Sequence, residues 1–115
     1  MLVVCVPVEG DGSVDPRWGR ANRVATAEVG AEGVAVWREF DVQWGDLHEE
    51  GSERRHHARI AKFLRDHGVQ MVVADHMGAG MLQMLETMKI AVHLGASGDG
   101  RQAVLDAVSR NTGAS

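Results

Sequence analysis

Residues able to do chemistry fall in three short stretches of this chain. Val14-Asp15-Pro16-Arg17-Trp18-Gly19-Arg20-Ala21 sets two arginines in a polar segment broken by proline and glycine, with Arg23 close behind. Asp75-His76-Met77-Gly78-Ala79-Gly80 follows the apolar run Met71 to Ala74 and precedes Met81, Leu82, Leu85 and Met88 at helical spacing. Gly95-Ala96-Ser97-Gly98-Asp99-Gly100 is a second glycine-rich turn, ahead of Val104, Ala107 and Val108. A strand–turn–helix unit leaves backbone N–H groups unpaired at the helix start, beside the edge where open α/β sheets bind ligands. For either turn alone, glycines that merely make a tight connection are the plainer account. Two such turns next to Arg17 and Arg20 point to an anion site, because a planar guanidinium suits a fixed, charged ligand. The contacts expected are Arg17, Trp18, Gly19, Arg20, Gly78, Ala79, Gly80 and Ser97.

Six histidines are the second feature. His56 and His57 lean toward the apolar side of a helix carrying Ile60, Ala61, Phe63 and Leu64, and His76 opens the glycine turn. With His48 they make a candidate set of metal ligands (His48, His56, His57 and His76), since neutral imidazole binds transition metals. Against this, neighbouring residues on a helix point roughly 100° apart and rarely share one ion, so half-buried histidines bonding to backbone are the plainer account. His67 is expected at a helix C-terminus, where the dipole favours it, and His93 in a structural place. Met77, Met81, Met84 and Met88 read as core packing rather than a soft-metal site. Cys5 reads as a buried, inert thiol. Trp18 is open between a lid or partner contact and a side chain packed onto the sheet.

The elements that must position these groups follow from periodicity. Leu2 to Val8 is a strand covered on both faces, with Pro7 at its end. Arg23 to Val29 and Val34 to Phe40 are strands joined by the hairpin Gly30-Ala31-Glu32-Gly33. Three strands in succession imply antiparallel pairing. Asp41 to Glu50 is expected as a polar connection carrying Trp44 and His48. Ser52 is a candidate N-cap and Gly68 a helix stop. Met71 to Ala74 and Ile90 to Leu94 are the last strands. The order β-β-β-α-β-α-β-α predicts an α/β fold: a five-stranded mixed sheet, three antiparallel strands then βαβ, with helices on its faces. One domain over 1–110 and a flexible tail over 111–115 are expected.

Totals exclude several classes. A length of 115 residues with 44% hydrophobic and 24% charged residues is globular. A net charge of −4 argues against nucleic acid held by a global field. No apolar run spans a bilayer, and the single cysteine allows no internal disulfide and no four-thiolate cluster. A cytoplasmic protein is the expectation.

The blocks Val14 to Ala21, His56-His57-Ala58-Arg59-Ile60-Ala61-Lys62-Phe63-Leu64, and Val72 to Met81 occur in an order and spacing that resembles the dinitrogenase iron–molybdenum cofactor biosynthesis family. This is the NifX/NafY-like carrier domain, also found at the C-terminus of NifB-type proteins. The resemblance covers nearly the whole chain. It implies a ribonuclease H-like fold and the binding or carriage of an iron–sulfur or molybdenum-containing cluster without turnover, with a cluster donor or acceptor protein as partner. The family's loop typically reads aspartate-x-histidine-phenylalanine-glycine. Here Arg17 stands at the histidine and Trp18 at the aromatic, so a guanidinium rather than a ligating imidazole would face the cluster.

Two functions remain open on the sequence. One is a small non-catalytic carrier or sensor holding a metallocluster or other anionic metal ligand at the loop edge. The other is an enzyme or binding protein for a phosphorylated or nucleotide-like molecule, with Arg17 or Arg20 gripping phosphate and His76 or His57 as acid/base. A metal-dependent nuclease is excluded, because Leu2 to Val8 carries none of the carboxylates that chemistry needs.

Overall fold

β1 (Leu2–Pro7) runs down the middle of a five-stranded sheet in the computed structural model, which describes residues 1–47 and 52–112 and, of 111 and 112, only the backbone. β2 (Arg23–Gly30) pairs antiparallel with β1, from Leu2 opposite Val29 to Pro7 opposite Val24. β3 (Gly33–Asp41) returns antiparallel to β2 through the two residues Ala31 and Glu32. On the other side of β1, β4 (Met71–Val73) pairs parallel, and β5 (Ala91–His93) pairs parallel with β4. The strand order is β3-β2-β1-β4-β5, so the expected mixed sheet is present.

Alternation along β1 splits the core into two layers. Val4, Val6 and Val8 face α4 (Gly100–Thr112) and pack with Val104 and Ala107. Cys5 faces the other way, among Ile60 and Leu64 of α2 (Glu53–Asp66) and Leu85 of α3 (Ala79–Thr87). Burial pushes its thiol far above the usual range, so it packs as a small hydrophobe. Met81 is buried in the same layer, and Met77, Met84 and Met88 pack against it, as expected of core methionines. α4 carries the chain through Asn111 and Thr112.

α2 is framed as its sequence implies. Ser52 Oγ accepts the N–H of Arg55 at 3.1 Å, and Gly68 ends the helix at φ +65°. The N–H of Val69 then reaches back to Leu64 O at 2.9 Å. His67 sits at the C-cap with its ring against Phe63 and Phe40, at centroid distances of 4.3 and 4.7 Å.

The segment Asp41 to Glu50 corrects the sequence reading. It contains a four-residue helix, α1 (Trp44–Leu47), and Trp44 is 2% exposed. Its ring meets Trp18 edge-on at 5.2 Å and Phe63 at 5.7 Å. Asn22 anchors the turn: its carbonyl accepts from Val42 and Gln43, and its side-chain oxygen from Gly45 N–H at 3.1 Å. A Cβ on Gly45 would stand 2.5 Å from Arg20 O, so this docking requires glycine. No helix among the described residues is long and apolar enough to cross a membrane.

Candidate functional site

The loop between β1 and β2, the start of α2 and the turn after β4 enclose a cleft of about 420 Å³. Its walls are Arg17 to Arg20, Glu53, His56 and His57, and His76 to Met81. The first loop is held to the turn by a parallel bridge between the backbones of Arg17 and His76. A short 3-10 turn over Trp18–Arg20 then buries Trp18 to 2% exposure. Trp18 is therefore packed down rather than a lid. Its indole N–H is buried without a hydrogen-bond partner among the described residues, a costly state for a polar group.

Arg17 is oriented by Asp15. Oδ1 of Asp15 accepts from the backbone N–H of Arg17 at 2.9 Å and from Nε at 3.1 Å, while Oδ2 accepts from Nη2 at 3.1 Å. Asp15 is 3% exposed, whereas the Arg17 side chain is 60% exposed. These bonds raise the Arg17 pKa further, so the guanidinium stays charged and fixed on its carboxylate side with its other side in solvent. Arg20 is exposed on the same loop and makes no ion pair among the described residues.

The same cleft is lined by the N-terminus of α3. Gly78 is its N-cap at φ −72° and ψ 161°, with no side-chain cap. The first helical bond runs from Leu82 N–H to Gly78 O at 3.1 Å. The N–H groups of Ala79, Gly80 and Met81 precede it, and these residues line the cleft as donors at the positive end of the helix. Gly80 also makes room for a neighbour: a Cβ there would lie 3.3 Å from Cε1 of His57.

The histidines separate by role. His56 is 3% exposed, and both ring nitrogens are engaged. Nε2 lies 2.6 Å from Gly19 O and donates to it, while Nδ1, 2.7 Å from Arg59 Nη1, accepts. This pins the arginine loop to α2 and leaves no ring lone pair for a metal. His57 (24% exposed side chain) has Nε2 3.7 Å from Glu53 Oε1, and His76 (73%) has Nδ1 3.7 Å from Asp75 Oδ2. Both line the cleft. His48 lies outside the described residues. Among the described residues, no three of histidine, cysteine, aspartate and glutamate are placed to hold a metal ion together.

Of the contacts expected from the sequence, Arg17, Trp18, Gly19, Arg20, Gly78, Ala79 and Gly80 are brought together in this cleft. Ser97 is not. It lines a separate small cavity of about 160 Å³ with His93, Asp106 and Arg110, because α4 lies on the opposite face of the sheet from α3. Glu53 and Asp15 were missed. Asp15 stands two residues before Arg17, the spacing that lets a carboxylate receive the arginine's own N–H. Glu53, one turn before His57, was legible as a helix pair.

The chain matches the model of the dinitrogenase iron-molybdenum cofactor family over residues 1–111, and it belongs to that family. No curated protein matches the sequence. Solved structures share the fold, among them the following three. PH0822 is 19% identical with a TM-score of 0.74, over 94% of this chain and 91% of that one. The apo form of the orange protein from Desulfovibrio gigas is 24% identical with a TM-score of 0.73, over 95% and 88%. The NMR structure of TM1290 from Thermotoga, a NifB-like protein of the DUF35 family, is 20% identical with a TM-score of 0.69, over 96% and 89%.

Proposed function

We propose that this member of the dinitrogenase iron-molybdenum cofactor family is a small cytoplasmic carrier or sensor. Its cleft holds an anionic metal ligand, an iron–sulfur or iron–molybdenum-type cluster, and turns nothing over. Family membership supports the cofactor class, and the strand order with β2 antiparallel supports a ribonuclease H-like arrangement of the sheet. The observation that carries the reading is that one cleft is lined both by the uncapped start of α3 and by a guanidinium fixed on Asp15.

The donor set fits such a cargo and not a bare ion. The cleft offers backbone N–H donors, the outer side of Arg17, Arg20, and the imidazoles of His57 and His76. It offers no thiolate, since Cys5 is buried in the core. A cluster that brings its own sulfur or oxygen ligands needs hydrogen bonds and one or two imidazoles at most. A free ion would need three or four protein ligands. A phosphorylated substrate fits less well, because Arg17 already shares its charge with Asp15 and Glu53 stands on the same wall.

Anaerobic titration with iron, sulfide and molybdate tests this. The expected result is a visible absorption band together with a rise in melting temperature, both diminished in His57→Ala and His76→Ala. At a hundredfold excess over Kd the stabilisation should approach about 2.7 kcal/mol. A flat absorbance and an unchanged melting curve would overturn the proposal.

A further inference from the structure

We infer that the outer face of α2, with the groove between α2 and α3, is a docking surface for an acidic protein segment bearing an apolar anchor. Charge is distributed unevenly along the chain. Five of its twelve lysines and arginines lie within the fourteen residues of α2, with two of its sixteen aspartates and glutamates. The helix is therefore net +3 and the remainder, seven against fourteen, net −7.

Two of the five cations are committed inside the molecule. Lys62 Nζ is 2.6 Å from Asp66 Oδ2, and Arg59 Nη1 is bound to His56 Nδ1 and, at 3.3 Å, to Leu47 O. Arg54, Arg55 and Arg65 are exposed and make no ion pair among the described residues. Unpaired arginines held on a helix inside an acidic protein attract an acidic partner and repel a basic one.

Beside them lies a shallow, open groove between α2 and α3, lined by Glu53, Arg54, His57, Ala58, Gly80 and Met84. Its small residues and adaptable methionine suit an apolar side chain, and Arg54 stands at its rim. This is the layout of a groove that takes an amphipathic helix: an anchor in the groove and acidic residues over the arginines. Nucleic acid fits less well. The patch is one helix about 21 Å long, and a polyanion extending past it would meet the acidic remainder. The groove shares Glu53, His57 and Gly80 with the cleft, so a docked segment sits at the cleft's mouth, where a donor or acceptor of its cargo would stand. The docking claim itself rests on charge and shape, not on the cluster reading.

The test uses a dye-labelled helical peptide of about 15 residues, rich in glutamate, with leucines at i and i+4, followed by fluorescence anisotropy on the metal-free protein. Saturable binding is expected, weakened about tenfold by the double variant Arg54→Glu/Arg55→Glu at unchanged melting temperature. Raising NaCl from about 50 to about 300 mM should weaken it comparably. Amide shift changes should centre on residues 53–58 and 80–84. Any of the following overturns the inference: no saturable binding, equal binding by a peptide with alanine in place of leucine, or indifference to the double variant. So does tighter binding of single-stranded RNA or phosphatidylglycerol vesicles, or self-association of the protein that the double variant abolishes. Cluster uptake is measured without peptide and docking without metal, so either reading can fail alone.

Discussion

The two glycine-rich turns look alike in sequence and end in opposite states. After β4, the chain enters α3 through an uncapped Gly78, and a Cβ there would meet nothing within 4 Å. After β5, it enters α4 through Asp99, whose Oδ2 accepts the N–H of Gln102 at 3.0 Å. The Gly100 N–H goes to Gly12 O at 2.9 Å, and Val14 N–H to Gly98 O at 2.8 Å. The strap between β1 and the arginine loop thus closes on the start of α4 with its backbone, and Asp99 of the turn itself adds a carboxylate cap. A glycine turn at the end of a strand becomes an anion site only where its donors are left unspent.

The sharpest way to break this contrast is to add one methyl group to each turn. In Gly100→Ala the new Cβ would lie 2.8 Å from Gly12 O and 3.1 Å from Val8 Cγ1. Overpacking of that kind should cost on the order of 2–3 kcal/mol in urea unfolding, at constant m. Gly78→Ala should change stability by a few tenths of a kcal/mol only. Equal losses would show that the first turn is as filled as the second.

Gly78→Asp sharpens the comparison by giving the open helix the cap its counterpart has. Stability should rise by a few tenths of a kcal/mol, while affinity for iron–sulfide–molybdate species falls about tenfold or more, read by absorbance titration. The two signs must differ. Removing the cap from the sealed turn, in Asp99→Ala, should cost about 1 kcal/mol and leave cluster uptake unaltered.

The smallest effect lies in the strap. Asp11 is held below the usual carboxylate range by the Ser13 hydroxyl at 2.6 Å and then by the Ser13 N–H at 3.0 Å. A depressed native pKa means that its stabilising contribution is present above the unfolded value of about 3.9 and is lost as pH falls through the native value. Carboxyl NMR titration should find Asp11 below that range, and Ser13→Ala should return it toward the ordinary value.

Much of the fold was legible because it rests on local rules. A continuous apolar run placed β1, the glycine hairpin joined β2 to β3, Ser52 and Gly68 marked the ends of α2, and strand succession gave the antiparallel half of the sheet. α1 was not legible: four residues with one glycine carry no period, and Trp44 is buried by Trp18 and Phe63, partners distant in sequence. Within the site, the arginine loop and the first turn announced themselves by composition. The fate of His56 did not, since it depends on a carbonyl 37 residues away. Nor did the separation of Ser97, which follows from the sheet face on which α4 packs.

The order in which the cleft's parts leave the ribosome carries a last consequence. Its walls come from residues 17–20, 53–57 and 76–81, while the hairpin half of the sheet is complete by Asp41. A nascent chain can form that half early, yet it owns arginines without a chamber until the segment after β4 has emerged. The cleft is thereby a property of a chain grown past residue 81, and the hairpin half alone does not enclose it.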